Sequence, residues 1–475
     1  LKATLPGEHN SKGVFFSTSS DRIYTVTESG QISIWDAKSL NKIGTIYSIW
    51  GKSWVVSTPN GYFDGNQEGV SRLHFVRGMN IIPLESFYEQ YYSPNILAQV
   101  LSGERTINSE VSISNLSLPP KVQIITPENR VTLTNESVTV TVMVTDQGGG
   151  VDEIRLYHNG KMLEGTPRGF KVTGMNKEFT ISLIPGENHI KVTAFNSQRT
   201  ESIPDEIVLT YKAPQQVKPN MYILAIGINS YLNPKYSLNF AKNDAEAFVQ
   251  SLKTGATPIF GNVNVTSISD VNATKEVILS AIDKIKSQSK PEDVFVFYYA
   301  GHGVMSTGSE DEKSMFFLVP YDVTKMYEAD DMLKRLGISA NEIGEFSKNI
   351  KAQKQLFVID ACQSGGAMQT LAMRGAAEEK AIAQLARSTG TYFIAASGSE
   401  QFATEVKELG HGVFTYSVIE ALRGSCKSKD GKVTVNLLKG CVEDLVPELS
   451  KKYKGQPQFP TGYGFGQDFP IVIVK

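Results

Sequence analysis

Gln355-Leu-Phe-Val-Ile-Asp-Ala-Cys362-Gln-Ser-Gly-Gly366 decides the fold class of this chain. A β-branched apolar run ends in a carboxylate, a cysteine and a turn of small residues. Upstream, Val294-Phe-Val-Phe-Tyr-Tyr-Ala-Gly301-His302-Gly303 repeats the device with a histidine. Both runs have the length and composition of strands buried on both faces of a parallel sheet. In open sheets of that kind, ligands and chemistry collect at the carboxyl ends of the strands. Two strand ends therefore deliver a thiol and an imidazole to one edge, the arrangement of a cysteine nucleophile beside its base.

Working outward, strands alternate with helical patterns from Met221 onward, which signals a parallel sheet. Tyr222-Ile-Leu-Ala-Ile-Gly-Ile reads as a first strand, and a helix carrying Leu238 to Val249 follows it. Val265-Thr-Ser-Ile is a second strand, ahead of a helix over 273–287. The histidine strand (294–300), the cysteine strand (355–360), a strand at 392–397 and a helix over 413–422 complete an α/β domain expected over residues 220–475.

Residues 118–213 have a different texture, with short alternating strands such as Val138-Thr-Val-Thr-Val-Met-Val-Thr and Phe179-Thr-Ile-Ser-Leu between turn signals. That spacing predicts an immunoglobulin-like β-sandwich. Asn159-Gly160 marks a hairpin, because both central residues of the favoured turn need positive φ. Spacing or partner contact, not chemistry, is expected of this module, and 213–220 reads as its linker. Nearer the N-terminus, residues 14–36 combine short strands, Asp/Gly turns and a final Trp35-Asp36, which resembles the end of a WD-repeat blade. One blade cannot bury its own faces. Residues 1–105 are thus expected to be the C-terminal part of a WD-repeat β-propeller plus a connecting segment, with a stray β-hairpin module as the alternative. The fold class is multidomain: N-terminal all-β, then α/β with a mostly parallel sheet.

Tyr299-Ala-Gly-His302-Gly and Ile359-Asp-Ala-Cys362-Gln-Ser-Gly resemble the caspase–metacaspase superfamily of cysteine peptidases. The resemblance runs from about Tyr222 to the C-terminus. The caspase cysteine signature has Gln-Ala-Cys followed within a residue by Gly. Here Asp360 replaces the Gln and Gln363-Ser364 intervenes, a form nearer to metacaspases and bacterial caspase-like peptidases. The resemblance implies a cysteine endopeptidase with Cys362 as nucleophile. His302 would act as base toward the thiol and acid toward the leaving amine. The Gly303 and Cys362 backbone N–H groups would form the oxyanion hole. It also implies protein or peptide substrates, with partners recruited by the β modules. Asp244 matches a position that lines the basic-residue pocket of metacaspases.

Each residue has a plainer reading. A cysteine often only fills space; the strand-end Gly-His-Gly is what separates Cys362 from that case. Gly301 and Gly303 suggest unusual dihedrals or close backbone approach. His411, in Gly410-His411-Gly412, is a rival base, but it precedes an apolar helix and is expected to cap or pack. No Asn or Asp is placed to orient His302, so a Cys–His dyad is expected. Asp360 lies two residues before Cys362, hence on the same face of a strand. A carboxylate there favours a basic residue, and two carboxylates favour guanidinium over ammonium. Cleavage after Arg, then Lys, follows. Asp244 could instead be a helix-start charge or part of a solvated face, and Asp360 a structural acceptor. Arg374, Lys380 and Arg387 are possible self-cleavage positions, or members of an ordinary surface helix over 378–387.

Composition excludes several functions. The net charge of −2 gives no basic field for nucleic acid. No apolar run is long enough to span a bilayer, and no Cys/His spacing suits zinc. No cofactor or metal is expected. Calcium activation, common in metacaspases, could use 310–312 or Asp330-Asp331, but Gln369 stands where those relatives carry an acidic ligand. Three cysteines leave a remainder after any disulfide, which suits a reducing compartment. The start at Leu1 suggests a piece of a longer protein, for which a cytoplasmic location is expected. Two other activities stay open: a catalytically silent scaffold that binds partners, and an esterase or transpeptidase using the same thiol.

Overall fold

The computed structural model describes residues 5, 11–102, 117–165, 176–214, 218–307, 314–362, 368–396 and 405–474, with the side chains of residues 164, 165, 362, 368–375 and 405 outside the description. The N-terminal module is a six-stranded antiparallel meander from Ser11–Phe16 to Phe63–Gly65, strands adjacent in sequence being adjacent in space. Trp35 is buried in it, and its indole N–H donates to Thr25 Oγ1 at 3.0 Å. Val14, Phe15 and Phe16 on its first strand are exposed, whereas its last strands are covered by their own chain. Val56 packs on the helix Ile96–Leu101, and Val55 and Phe63 enter the same apolar core as the C-terminal sheet.

Residues 121–211 form a two-sheet sandwich of three and five strands around Val140, Leu156, Phe179, Ile190 and Leu209. Asn159-Gly160 makes the expected hairpin turn, with φ of 52° and 90°. That turn is a plug. Asn159 Nδ2 donates to Gln353 Oε1 at 2.7 Å, and Gln353 Nε2 donates to His158 Nδ1 at 2.6 Å. Lys161 Nζ donates to the Ile350 carbonyl. A side chain on Gly160 would run into the backbone of Gly466 and Gln467.

The C-terminal domain is built on a sheet whose main path has the spatial order Val263–Ser269, Met221–Gly227, Val294–Met305, Lys354–Cys362, Tyr392–Ala395, Thr461–Gly464. Its first five strands are parallel and the last is antiparallel. Apolar cores lie on both faces. One includes Phe297, Phe357 and helices Lys275–Gln288 and Ala340–Asn349; the other includes Tyr298, Val358 and helices Ala241–Ala256, Val413–Glu420 and Val435–Lys454. Burial on both faces explains why the central strands read as unbroken apolar runs.

Two expectations need correction. The post-cysteine helix is longer than 378–387, running Met368–Thr389. Cys426 and Cys441 are disulfide-bonded across a Cα–Cα distance of 5.9 Å, inside the usual span for such a bond. Cys362 is thus the remainder of a pair plus one, and the cysteine count no longer argues for a reducing compartment. Among the described residues no helix is long and apolar enough to cross a membrane.

Candidate active site

The histidine and cysteine strands are paired in parallel, and their last matched positions are His302 and Cys362. Backbone register alone therefore sets the two residues side by side at the carboxyl edge. The sheet's topological switch lies next to them, between Met221–Gly227 and Val294–Met305, where α/β sheets open a crevice. The connection after the first strand runs through this crevice and supplies Tyr231, Tyr236 and Asp244.

The His302 ring is buried, and its Nε2 lies 2.7 Å from the Tyr236 carbonyl. A carbonyl can only accept, so Nε2 carries the proton and Nδ1 is the basic atom of the neutral ring. The group that orients the imidazole is a main-chain oxygen. Tyr236 closes the short turn Pro234–Tyr236, where Asn233 Oδ1 accepts from Lys235 N at 3.2 Å.

Two buried tyrosines fix the backbone beneath the ring. Tyr231 Oη accepts from the His302 N–H at 2.9 Å, and Tyr299 Oη donates toward the His302 and Val319 carbonyls at 2.9 and 2.8 Å. Burial pushes both phenols above their usual range, so both stay neutral and Tyr299 keeps the proton it donates. Gly301 and Gly303 prove necessary for space, since neither has a positive φ. A Cβ at Gly301 would stand 2.7 Å from Tyr299 Oη and 2.8 Å from Tyr231 Oη. At Gly303 it would stand 2.8 Å from Phe316. The histidine strand does not stop at 300; it bends into a second ladder, where Gly303 pairs with Leu318.

Asp244 is buried in the first turn of its helix. Its Oδ1 is 2.6 Å from His411 Nδ1, and its Oδ2 accepts from Gly412 N at 3.2 Å. His411 thus neither caps nor merely packs: it pairs with Asp244 from the two-residue strand His411–Gly412. Asp360 Oδ2 accepts from Thr415 Oγ1 at 2.5 Å, and Thr415 Oγ1 is 2.6 Å from Tyr298 Oη. The two carboxylates converge on Gly412, where a Cβ would lie 3.3 Å from Asp244 Oδ2 and 3.3 Å from Asp360 Oδ2. Burial, then the charges of Asp244 and Asp360, push the Tyr298 phenol up.

The remaining expected positions divide. Arg387 is tied down: Nη2 is 2.7 Å from Glu201 Oε2, and the guanidinium lies over Tyr88 and Phe465. Lys380 lies on the same helix, half-buried. Asp330 Oδ1 accepts from Thr307 N at 3.0 Å, at the start of a short helix. The Cys362 side chain, those of Arg374 and Gln369, and residues 310–312 lie outside the described residues. Among the described residues no three His, Cys, Asp or Glu side chains are grouped to hold a metal.

Residues 221–461, just over half of the chain, match the caspase domain of peptidase family C14. The chain belongs to the caspase-domain family. Ahead of this caspase domain, residues 120–192 match a bacterial Ig domain. Among curated proteins, one named a probable protease, from a Desulfuromonadales bacterium, is 30% identical over 157 residues, covering 30% of this chain and 18% of that protein. Metacaspase-2 of Trypanosoma brucei brucei is 30% identical over 156 residues, covering 30% of this chain and 42% of the relative. The chain thus spans less than half the length of these relatives. A crystal structure of a Geobacter sulfurreducens protein covers 52% of this chain and 93% of its own at 16% identity, with a TM-score of 0.36, too low to support an argument.

Proposed function

We propose that the chain is a cysteine endopeptidase that cleaves after basic residues, Arg ahead of Lys. Cys362 attacks the scissile carbonyl after losing its proton to His302 Nδ1. The tetrahedral oxyanion rests on the Gly303 and Cys362 N–H groups, and the imidazolium protonates the leaving amine. A thioester forms and water hydrolyses it. The matched register of His302 and Cys362 carries this reading. The taste for basic residues rests on Asp244 and Asp360 converging on Gly412, where each Oδ2 lies 3.3 Å from the position of a Cβ.

The β modules act as recruitment or sensing parts. The meander of residues 11–65, with its buried Trp35 and exposed apolar first strand, supports a WD-repeat blade. Self-processing after Arg374, Lys380 or Arg387 would require the post-cysteine helix to unwind. Arg387 is poorly placed for it, because its side chain bridges modules.

Fluorogenic peptides ending in Arg, Lys or Asp test the proposal. Turnover is expected with Arg, less with Lys, little with Asp, and none with any of them in Cys362→Ala. Asp turnover equal to that with Arg would remove the pocket while leaving the nucleophile. Undiminished turnover in Cys362→Ala would remove the nucleophile.

A further inference from the structure

His411 is the motif that the chemistry above does not use, yet it holds one of the two socket carboxylates. Its Nδ1 stands 2.6 Å from Asp244 Oδ1, while the next residue donates its backbone N–H to Asp244 Oδ2 at 3.2 Å. Asp244 is held from both sides by one dipeptide. The His411 side chain is 24% exposed and that of Asp244 only 4%, so the ring lies nearer solvent and forms part of the wall around the carboxylate. Gly412 has an ordinary φ of −62°. A Cβ there would press on both carboxylates, 3.3 Å from each Oδ2, in the space that they border. Asp360 has its own brace, with Thr415 on Oδ2 and Tyr298 behind Thr415.

We propose that His411 is a positioning residue that sets the preference for Arg over Lys. The proposal rests on the basic-residue reading of the socket. A guanidinium presents several N–H donors in a rigid plane and can span two carboxylates that are fixed in direction; an ammonium is a point charge served by one. A carboxylate that can turn about its own bond no longer offers a fixed second edge. The Nδ1 donor removes that freedom from Asp244, and Thr415 does the same for Asp360. Loss of the His411 donor therefore weakens Arg binding while leaving much of Lys binding, which one carboxylate can supply. The effect falls on substrate binding, because His411 acts through Asp244 and never meets the scissile bond.

Three forms of the full chain decide it: unchanged, His411→Leu, and His411→Asn, whose amide can replace the Nδ1 donor. Each is assayed with matched Arg and Lys fluorogenic peptides. The rate of Cys362 alkylation by iodoacetamide, a reagent too small to need the socket, reads the thiol–imidazole pair. His411→Leu is expected to raise KM for Arg by about tenfold or more, the size of one charge-assisted hydrogen bond. The Arg-to-Lys ratio of kcat/KM should collapse toward unity, with the loss in KM and not in kcat or alkylation. His411→Asn should restore most of the ratio. Should His411→Leu not fold, His411→Ala, which leaves room for water on Asp244, replaces it with the same expectation. An unchanged ratio in the leucine or alanine variant overturns the proposal. So does a loss carried by kcat and alkylation, which would make the ring part of the chemistry, and so does a failure of Asn to rescue. If the unchanged chain prefers neither Arg nor Lys, the socket reading itself has failed, and the inference falls with it for a separable reason.

Discussion

Glu201→Gln is the most direct probe of how the Ig domain and the caspase domain are joined. Glu201 belongs to the Ig module and Arg387 to the post-cysteine helix, and their charged groups meet at 2.7 Å. Arg387 Nη2 also donates to the Glu85 carbonyl at 3.2 Å, and the guanidinium stacks over Tyr88 at 5.0 Å and Phe465 at 5.4 Å. Glu201 side-chain exposure is 9% and that of Arg387 is 20%, so neither charge is screened by bulk water. Burial works to raise the Glu201 carboxyl, yet Arg387, aided by Arg155 and Lys191, outweighs it and the group stays below its usual range.

Removing one member of such a pair leaves the other charge buried, at about 3–5 kcal/mol. The glutamine oxygen still accepts from Arg387, and the Glu85 carbonyl and two rings remain, so about 2–3 kcal/mol is expected here. The double variant Glu201→Gln/Arg387→Met removes both charges and keeps apolar bulk between the rings. It should recover at least half of the loss. Urea unfolding followed by amide hydrogen exchange in the Ig strands and by alkylation of Cys362 reads both modules; tryptophan fluorescence would not, since Trp35, Trp50 and Trp54 all lie in the N-terminal module. A shift in the two signals together places the Ig and caspase domains in one cooperative unit. A cost below about 0.5 kcal/mol, the level of an exposed pair, would refute the reasoning, as would a shift confined to one signal.

Tyr231→Phe deletes the hydroxyl that accepts from the buried His302 N–H at 2.9 Å. The expected loss is about 1–3 kcal/mol in unfolding free energy, with slower iodoacetamide alkylation of Cys362; an unchanged alkylation rate would show that Tyr231 does not position the imidazole. Glu379→Gln should flatten the alkaline side of the stability profile. Burial, then the nearby Asp64 charge, pushes the Glu379 carboxyl up to about 8, and burial pushes Asp64 up to about 6. Folded-state values above the unfolded ones near 4 mean the folded chain binds more protons between pH 4 and 8. Stability is therefore highest below the unfolded value and lost as pH rises through the folded ones. For Glu379, partly exposed, the loss should be roughly 2 kcal/mol between pH 5 and 9 after allowance for screening. His158, held near 4 by burial, and Lys161, held near 7 by burial, act with the opposite sign. They are common to both forms, so urea midpoints of the two forms at each pH isolate Glu379, and parallel profiles would sink the assignment.

The edge that carries His302 and Cys362 was legible because its strands are buried on both faces, so each motif arrives as an apolar run with its histidine or cysteine at the end. Asp244 and Asp360 were legible as carboxylates, and the structure puts both at Gly412. The orienter of His302 was not legible, because a main-chain carbonyl has no residue type. Only the turn signal Asn233-Pro234 hinted at a fixed loop there. His411 was misread because a histidine before an apolar helix looks local, while its partner Asp244 is 167 positions away. The antiparallel edge Thr461–Gly464 reads Thr-Gly-Tyr-Gly and lacks the apolar run that announces the other strands. Arg387 looked like a helix-surface cation because sequence does not reveal that Glu201 and two rings fold over it. Asn159-Gly160 announced a turn; what the turn docks against depends on Gln353 and Gly466, residues of another domain.

These interdomain contacts fall at both ends of the segment that carries Cys362. On the approach to the cysteine strand, Lys161 holds the Ile350 carbonyl and Asn159 holds Gln353, immediately before the strand begins at Lys354. After the strand, the helix that begins at Met368 is gripped at Gln384, whose amide donates to the Glu89 carbonyl at 2.8 Å, and at Arg387. Gly390, just beyond the helix, has φ of 67° and no room for a Cβ against the Gly160 carbonyl. The Ig hairpin therefore touches the chain both where it enters and where it leaves the cysteine segment. Close-packed interfaces of this kind transmit displacement because they deform little. A shift of the Ig domain against the sheet must therefore move both ends of that segment or break buried polar contacts. A module that contributes no residue to the His302–Cys362 edge thus contacts the chain on both sides of the strand that carries Cys362.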